Sequence, residues 1–75
     1  MNSEQALSKS IRNRTLVEQA KECGCYHCCK VFDPKEVVRW TDENSTALCP
    51  FCSIDAVVPE VKEDELQAIH RFLFA

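Results

Sequence analysis

Four of the chain's six cysteines fall into two Cys-x-x-Cys pairs, Cys25-Tyr26-His27-Cys28 and Cys49-Pro50-Phe51-Cys52, separated by residues 29–48. A Cys-x-x-Cys turn lets two thiolates point at one ion while nearby backbone N–H groups face the sulfurs, and two such turns complete a tetrahedral shell with no open position. Zinc is the expected metal and Cys25, Cys28, Cys49 and Cys52 are its expected ligands. A rubredoxin-like iron site needs the same four thiolates, so spacing alone does not separate the two metals. Closed shells hold structure and seldom do chemistry. Cys23 and Cys29 are surplus: either stands close enough to replace a neighbour, but the x-x spacing selects the other four, and a small apolar filler is the plainer role for both.

Catalytic templates fail one by one. A zinc deaminase needs His-x-Glu ahead of Pro-Cys-x-x-Cys and an open metal position, whereas this chain has Cys-Pro-x-Cys and no His-x-Glu. His-Glu-x-x-His and a nucleophile elbow are absent, and the single glycine excludes phosphate-cradling glycine loops. His27, inside the first knuckle, is expected to face solvent, and His70 to be a partly buried, hydrogen-bonded side chain on a helix. Neither has a catalytic companion, so no enzyme activity is expected.

The elements that must bring the two pairs together can be read in outline. Residues 1–13 carry few large apolar side chains, and although Leu7 and Ile11 share a helical face, two such residues do not hold a helix by packing; this segment is expected to be frayed, with the domain proper spanning 14–75. Thr15-Leu16-Val17-Glu18 reads as a capping box opening a short helix over 16–22, with Val17 and Ala20 facing the core and Gly24 ending it in a left-handed turn. Lys30-Val31-Phe32 is a short strand, and Asp33-Pro34-Lys35-Glu36 is an N-cap with proline at the first helical position. Residues 37–40 and 46–49 bracket the polar stretch 41–45 as a β-hairpin that returns Cys49 to the first pair. Ile54 to Val58 is an apolar run too short to classify by period, stopped at Pro59. A last helix over 63–74 has acidic residues at its start, Arg71 near its end, and Leu66, Ile69, His70 and Leu73 on one face.

The expected fold is therefore a small α+β domain, a four-cysteine zinc-ribbon or treble-clef-like module with a β-hairpin, flanked by a short N-terminal and a C-terminal helix. Seventy-five residues bury too small an apolar core to fold comfortably without a staple. The N-terminus lacks the layout of a secretory signal and no run approaches a membrane span. A cytoplasmic location follows as the expectation, where thiols stay reduced and metal binding is favoured over disulfides.

Residues 1–40 carry seven Lys/Arg and five Asp/Glu, residues 41–75 two and seven, so the halves stand near +2 and -5 within a total of -3. That balance argues against strong non-specific binding to nucleic acid, which needs concentrated Lys and Arg, though Lys9, Arg12 and Arg14 leave room for a local contact. Six aromatic side chains exceed what so small a core hides. Trp40, Arg39, Phe72 and Phe74 are the expected surface for a protein partner, with a homodimer as the other use of such a strip.

From about Asn13 to Phe74 the chain resembles a family of small, uncharacterised bacterial cytoplasmic proteins. The matching pieces are Asn13-Arg14, Cys23-Gly24-Cys25-Tyr26-His27-Cys28, Phe32 with Pro34 and Glu36, Trp40-Thr41-Asp42-Glu43, Thr46-Ala47-Leu48-Cys49-Pro50, Cys52 with Ile54-Asp55, and His70 and Phe74. The resemblance implies a zinc-ribbon or treble-clef-like module flanked by helices and no activity. Three positions depart from the pattern: Ser53 stands where the family has glycine, Lys62 where it has a capping hydroxyl, and Leu73 where it has tryptophan. The first bears on a turn of positive φ.

Overall fold

The computed structural model describes residues 1–74, so residue 75 of the expected domain lies outside the described residues. In chain order the elements are α1 (Ser3–Lys9), α2 (Arg14–Gln19), β1 (Cys23–Cys25), β2 (Val31–Phe32), a 3-10 turn (Pro34–Glu36), β3 (Trp40–Thr41), β4 (Thr46–Ala47), β5 (Val57–Pro59) and α3 (Glu63–Phe74). The architecture is α+β. Strand β1 is the centre of a three-stranded antiparallel sheet, with Cys23 opposite Phe32 of β2 on one side and opposite Pro59 of β5 on the other. Pro59 is tolerated because β5 is an edge strand, where a missing N–H breaks no inner ladder. Strands β3 and β4 form a separate hairpin, pairing Trp40 with Ala47 and Thr41 with Thr46.

Gly24 sits within β1 and has no positive φ, contrary to the expected helix-ending turn; helix α2 already ends at Ala20, whose backbone is extended. What excludes a side chain there is α3. A Cβ on Gly24 would stand 2.4 Å from Leu66 Cδ1 and 2.8 Å from Val61 Cγ1, both side chains buried. Glycine thus lets α3 lie directly on β1, and Leu66 and Ile69 become core, as the helical periodicity predicts. Lacking a capping hydroxyl, α3 starts by accepting the Lys62 N–H on the Glu65 carboxylate at 3.1 Å.

In the structure the N-terminal residues, expected to fray, form helix α1. Asn2 caps α1 in a reciprocal box with Gln5, Ala6 is fully buried, and the terminal amine of Met1 pairs with Glu65 of α3 at 2.9 Å. The helix docks through its smallest side chains, Ala6 and Ser10, whose hydroxyl lies 3.2 Å from the Tyr26 hydroxyl, while Leu7 and Ile11 stay outside. Counting large apolar residues therefore missed it.

The expected capping box at Thr15 is also displaced. Helix α2 starts at Arg14, with Thr15 exposed in its first turn, because the residue that starts it, Asn13, is committed to a tertiary bond. Buried Asn13 donates Nδ2–H to the Val57 carbonyl at 2.8 Å and accepts the Ala47 N–H on Oδ1 at 3.0 Å. One amide thereby ties the hairpin to the edge of the sheet. Arg14 N–H donates to Ser45 O and Arg12 N–H to the Thr46 hydroxyl, completing the seam. The tip of the hairpin is left-handed at Asp42, Glu43 and Asn44, and the Asp42 carboxylate holds it by accepting from the Thr46 hydroxyl at 2.8 Å. Elsewhere the Asp33 cap and the proline after it form the expected turn, Asp33 accepting from Lys35 N–H and Glu36 from Asp33 N–H.

Two substitutions test this seating. Gly24→Ala should lower stability by about 1–3 kcal/mol through overpacking against Leu66 and Val61. Asn13→Asp removes the donor to Val57 and buries a charge beside a carbonyl, with an expected loss of about 3 kcal/mol or more. Urea unfolding of the metal-loaded protein reads both; unchanged midpoints would show that α3 does not press on β1 or that the Asn13 bridge is dispensable.

Candidate metal centre

The two Cys-x-x-Cys turns differ in sequence but share one backbone. In the first, the Cys29 N–H donates to Cys25 O at 2.7 Å and the Cys25 N–H to Lys30 O at 3.0 Å; in the second, Ser53 N–H donates to Cys49 O at 2.9 Å and Cys49 N–H to Ile54 O at 3.0 Å. The residue after each second cysteine is left-handed, with φ 62° at Cys29 and 67° at Ser53. Each knuckle is thus the same six-residue loop, and Ser53 adopts the positive φ that a glycine would have relieved. The first knuckle joins β1 to β2. The second follows β4 and leads towards β5, whose pairing with β1 brings Val57 opposite Cys25.

The four sulfurs lie within 4.8 Å of one another, with Cys25 Sγ 3.6 Å from Cys52 Sγ and Cys28 Sγ 3.7 Å from Cys49 Sγ. Both short contacts cross from one knuckle to the other. A tetrahedral ion with metal–sulfur bonds of about 2.3 Å separates its sulfurs by roughly 3.8 Å, whereas a disulfide needs about 2.05 Å. The group could hold a metal ion, and all six cysteines are free of disulfides. Cys25 and Cys49 are buried, Cys28 and Cys52 partly exposed, so the centre has a closed and an open side.

Burial and hydrogen bonding set the thiols of the group apart from one another. Burial pushes the Cys25 thiol well above its ordinary range against the backbone N–H groups of Cys28 and His27, and burial likewise raises Cys52. Cys49 is also disfavoured by burial, but the N–H groups of Cys52 and Phe51, with side-chain contacts from Cys28 and Cys52, bring it below the usual value. The Phe51 N–H lies 3.4 Å from Cys49 Sγ. A bound divalent ion would reverse the burden on Cys25 and Cys52, since it stabilises thiolate directly.

The surplus cysteines take no part. Burial, with Glu60, Asp33 and Glu22 nearby, pushes Cys23 up to about 12, and its sulfur faces the Val17 carbonyl at 3.9 Å. The Cys29 thiol is also raised by burial and faces Leu66 O at 3.9 Å. His27 is exposed, and partly buried His70 places Nδ1 2.9 Å from the Tyr26 carbonyl.

The expected contact residues do not share one aromatic cluster. Trp40 is half-buried beneath the Arg14 guanidinium, 4.6 Å from its ring centre, in a shallow groove with Pro34, Val37 and Lys35. Phe74 instead packs on the first knuckle, against Tyr26, His27 and His70, while Phe72 is 75% exposed on α3. Exposed Arg39 reaches the Ser53 hydroxyl. A further exposed aromatic, Phe51, occupies the second knuckle against Phe32 and under Lys30. Its position between two ligands was the available signal, since that site in a Cys-x-x-Cys turn faces away from the metal.

Serine substitution of Cys25, Cys28, Cys49 or Cys52 should each release metal to a competing chelator under conditions where Cys23→Ser and Cys29→Ser retain it, as read by metal-to-protein ratio. Loading should release protons from the ligand thiols, the raised Cys25 and Cys52 among them, so affinity falls as pH is lowered; a pH-independent affinity would contradict thiolate ligation. Ser53→Val, which forces a β-branched residue into positive φ, should cost about 1–2 kcal/mol, while Ser53→Gly is tolerated.

Compared with known proteins, the chain matches no family model, no curated protein and no solved structure.

Proposed function

We propose that this chain is a zinc-stapled protein-interaction module rather than an enzyme. The observation that carries the reading is the pairing of a four-sulfur centre without an open ligand position with large apolar side chains left outside the core, including Phe51, Phe72 and Phe74. Four thiolates suit zinc, and the ion's role is to fix two knuckles that the small core alone does not hold. A rigid surface loses little ordering entropy on binding, which is how a stapled domain favours a partner without moving parts.

Within the zinc-binding folds, a ribbon describes the chain better than a treble clef. Neither knuckle opens a helix: the first sits between two strands and the second between β4 and β5. The resemblance to small bacterial cytoplasmic proteins belongs to the same reading, and the glycine its pattern places at Ser53 matches the left-handed backbone there. A cytoplasmic setting suits six unpaired thiols.

Metal analysis of protein purified without added metal should find zinc and no colour; an absorbing, redox-active preparation would replace zinc with iron. Stripping the metal should melt the secondary structure seen by circular dichroism, and retention of native structure would remove the staple from the account. Affinity capture from a host lysate, with and without nuclease, tests the interaction. Proteins that survive nuclease support it, and loss of all retained material on nuclease treatment makes nucleic acid the ligand.

A further inference from the structure

The equivalence of the two knuckles makes a difference between them informative. Superposing the loops by their hydrogen bonds places Tyr26 with Pro50 and His27 with Phe51. At the first knuckle, α3 contacts both positions, although the His27 side chain stays exposed. Phe74 meets His27 edge-on with ring centres 5.4 Å apart, and His70 Nδ1 lies 2.9 Å from the Tyr26 carbonyl. At the second knuckle the ring contact comes instead from Phe32 of β2, 5.9 Å from Phe51, which is left 50% exposed, and among the described residues no side-chain or backbone donor reaches the Pro50 carbonyl.

The open loop is bordered by cations held through neutral contacts. The Lys30 ammonium stands 4.6 Å from the Phe51 ring centre, and the Arg39 guanidinium bonds the Ser53 hydroxyl. Neither forms an ion pair among the described residues, where the two found are Met1–Glu65 and Arg14–Glu18. Ile54, 40% exposed, extends the apolar surface. The second knuckle therefore presents an anchored aromatic, an aliphatic neighbour, a free carbonyl and two cations whose charge is not matched by a carboxylate.

We propose that the second knuckle, Cys49 to Ile54 with Lys30 and Arg39, docks a short acidic-apolar segment of a partner protein, doing there what α3 does at the first knuckle. This rests on the interaction-module reading and names its face and ligand class. The partner's apolar side chain packs on Phe51 and Ile54, and its carboxylates meet Lys30 and Arg39. The positive edge of an aromatic ring adds to the attraction for carboxylate oxygen. A nucleic-acid strand fits less well. An extended polyanion would run past a chain half carrying about -5.

Selection of displayed random short peptides on the immobilised, zinc-loaded full chain provides the probe. Enriched peptides should carry Asp or Glu beside Leu, Ile or Phe. Measured by fluorescence anisotropy, an enriched peptide should bind Phe51→Ala and the double variant Lys30→Glu/Arg39→Glu about tenfold or more weakly, and Ile11→Ala as well as wild type. Replacing the peptide's acidic residues by Lys should restore binding to the double variant alone. That rescue stands even if Phe51→Ala loses its metal, which zinc content and melting report. Peptides without acidic residues, or binding indifferent to both variants, would overturn the proposal. Loss of binding on Phe72→Ala instead would move the contact to α3 and leave the interaction-module reading in place. No enriched peptide together with retention of oligo-dT would defeat both.

Discussion

Four cysteine sulfurs gathered to within 4.8 Å of one another could hold a metal ion, and much of this fold is arranged around bringing them together. The four cysteines come from two loops far apart in the chain. Each loop is a self-contained unit closed by two backbone bonds, so the tertiary problem reduces to placing one rigid loop against another. That placement uses β1 and β5: once Gly24 lies opposite Val58 and Cys25 opposite Val57, the segment between the knuckles must return the second one to the first.

The helices secure this arrangement rather than create it. Helix α3 lies on β1 because Gly24 offers no side chain, and its last turn reaches the first knuckle through His70 and Phe74. Helix α1 adds a layer through Ala6 and Ser10, and α2 buries Val17 between sheet and hairpin. Asn13 is the polar counterpart of these contacts. Its amide satisfies one donor and one acceptor from two different strands, which an apolar residue of the same size would leave unpaired in the interior.

A consequence is an uneven surface. The first knuckle meets α3 through His70 and Phe74, while the second keeps a half-exposed aromatic ring beside two cations on a chain whose total charge is negative. Apolar exposure of this kind is scattered on many proteins, but here it sits between two of the clustered cysteines. The loop that places Cys49 and Cys52 in the cluster therefore also sets the position of Phe51 relative to Lys30 and Arg39.

Much of the local structure was legible in the residues themselves. The Cys-x-x-Cys spacing selected the four sulfurs that cluster, the Asp-Pro pair predicted the short turn, and the periodicity of Leu66 and Ile69 predicted α3, because each depends on contacts within a few residues or on a pattern that repeats along one element. What remained hidden depends on partners distant in the chain. Thr15 has the form of a cap, yet the helix starts earlier because Asn13 is held by Ala47 and Val57. Gly24 has the form of a helix stop, yet its lack of a side chain serves an approach by Leu66. The N-terminal helix shows no large apolar stripe, since close packing through alanine and serine leaves little trace in hydrophobicity. Sequence alone thus picked out the four cysteines that cluster and the elements near them; the tertiary structure decided the seams between elements, the equivalence of the two knuckles, and what packs against each, because those follow from long-range packing that no local pattern encodes.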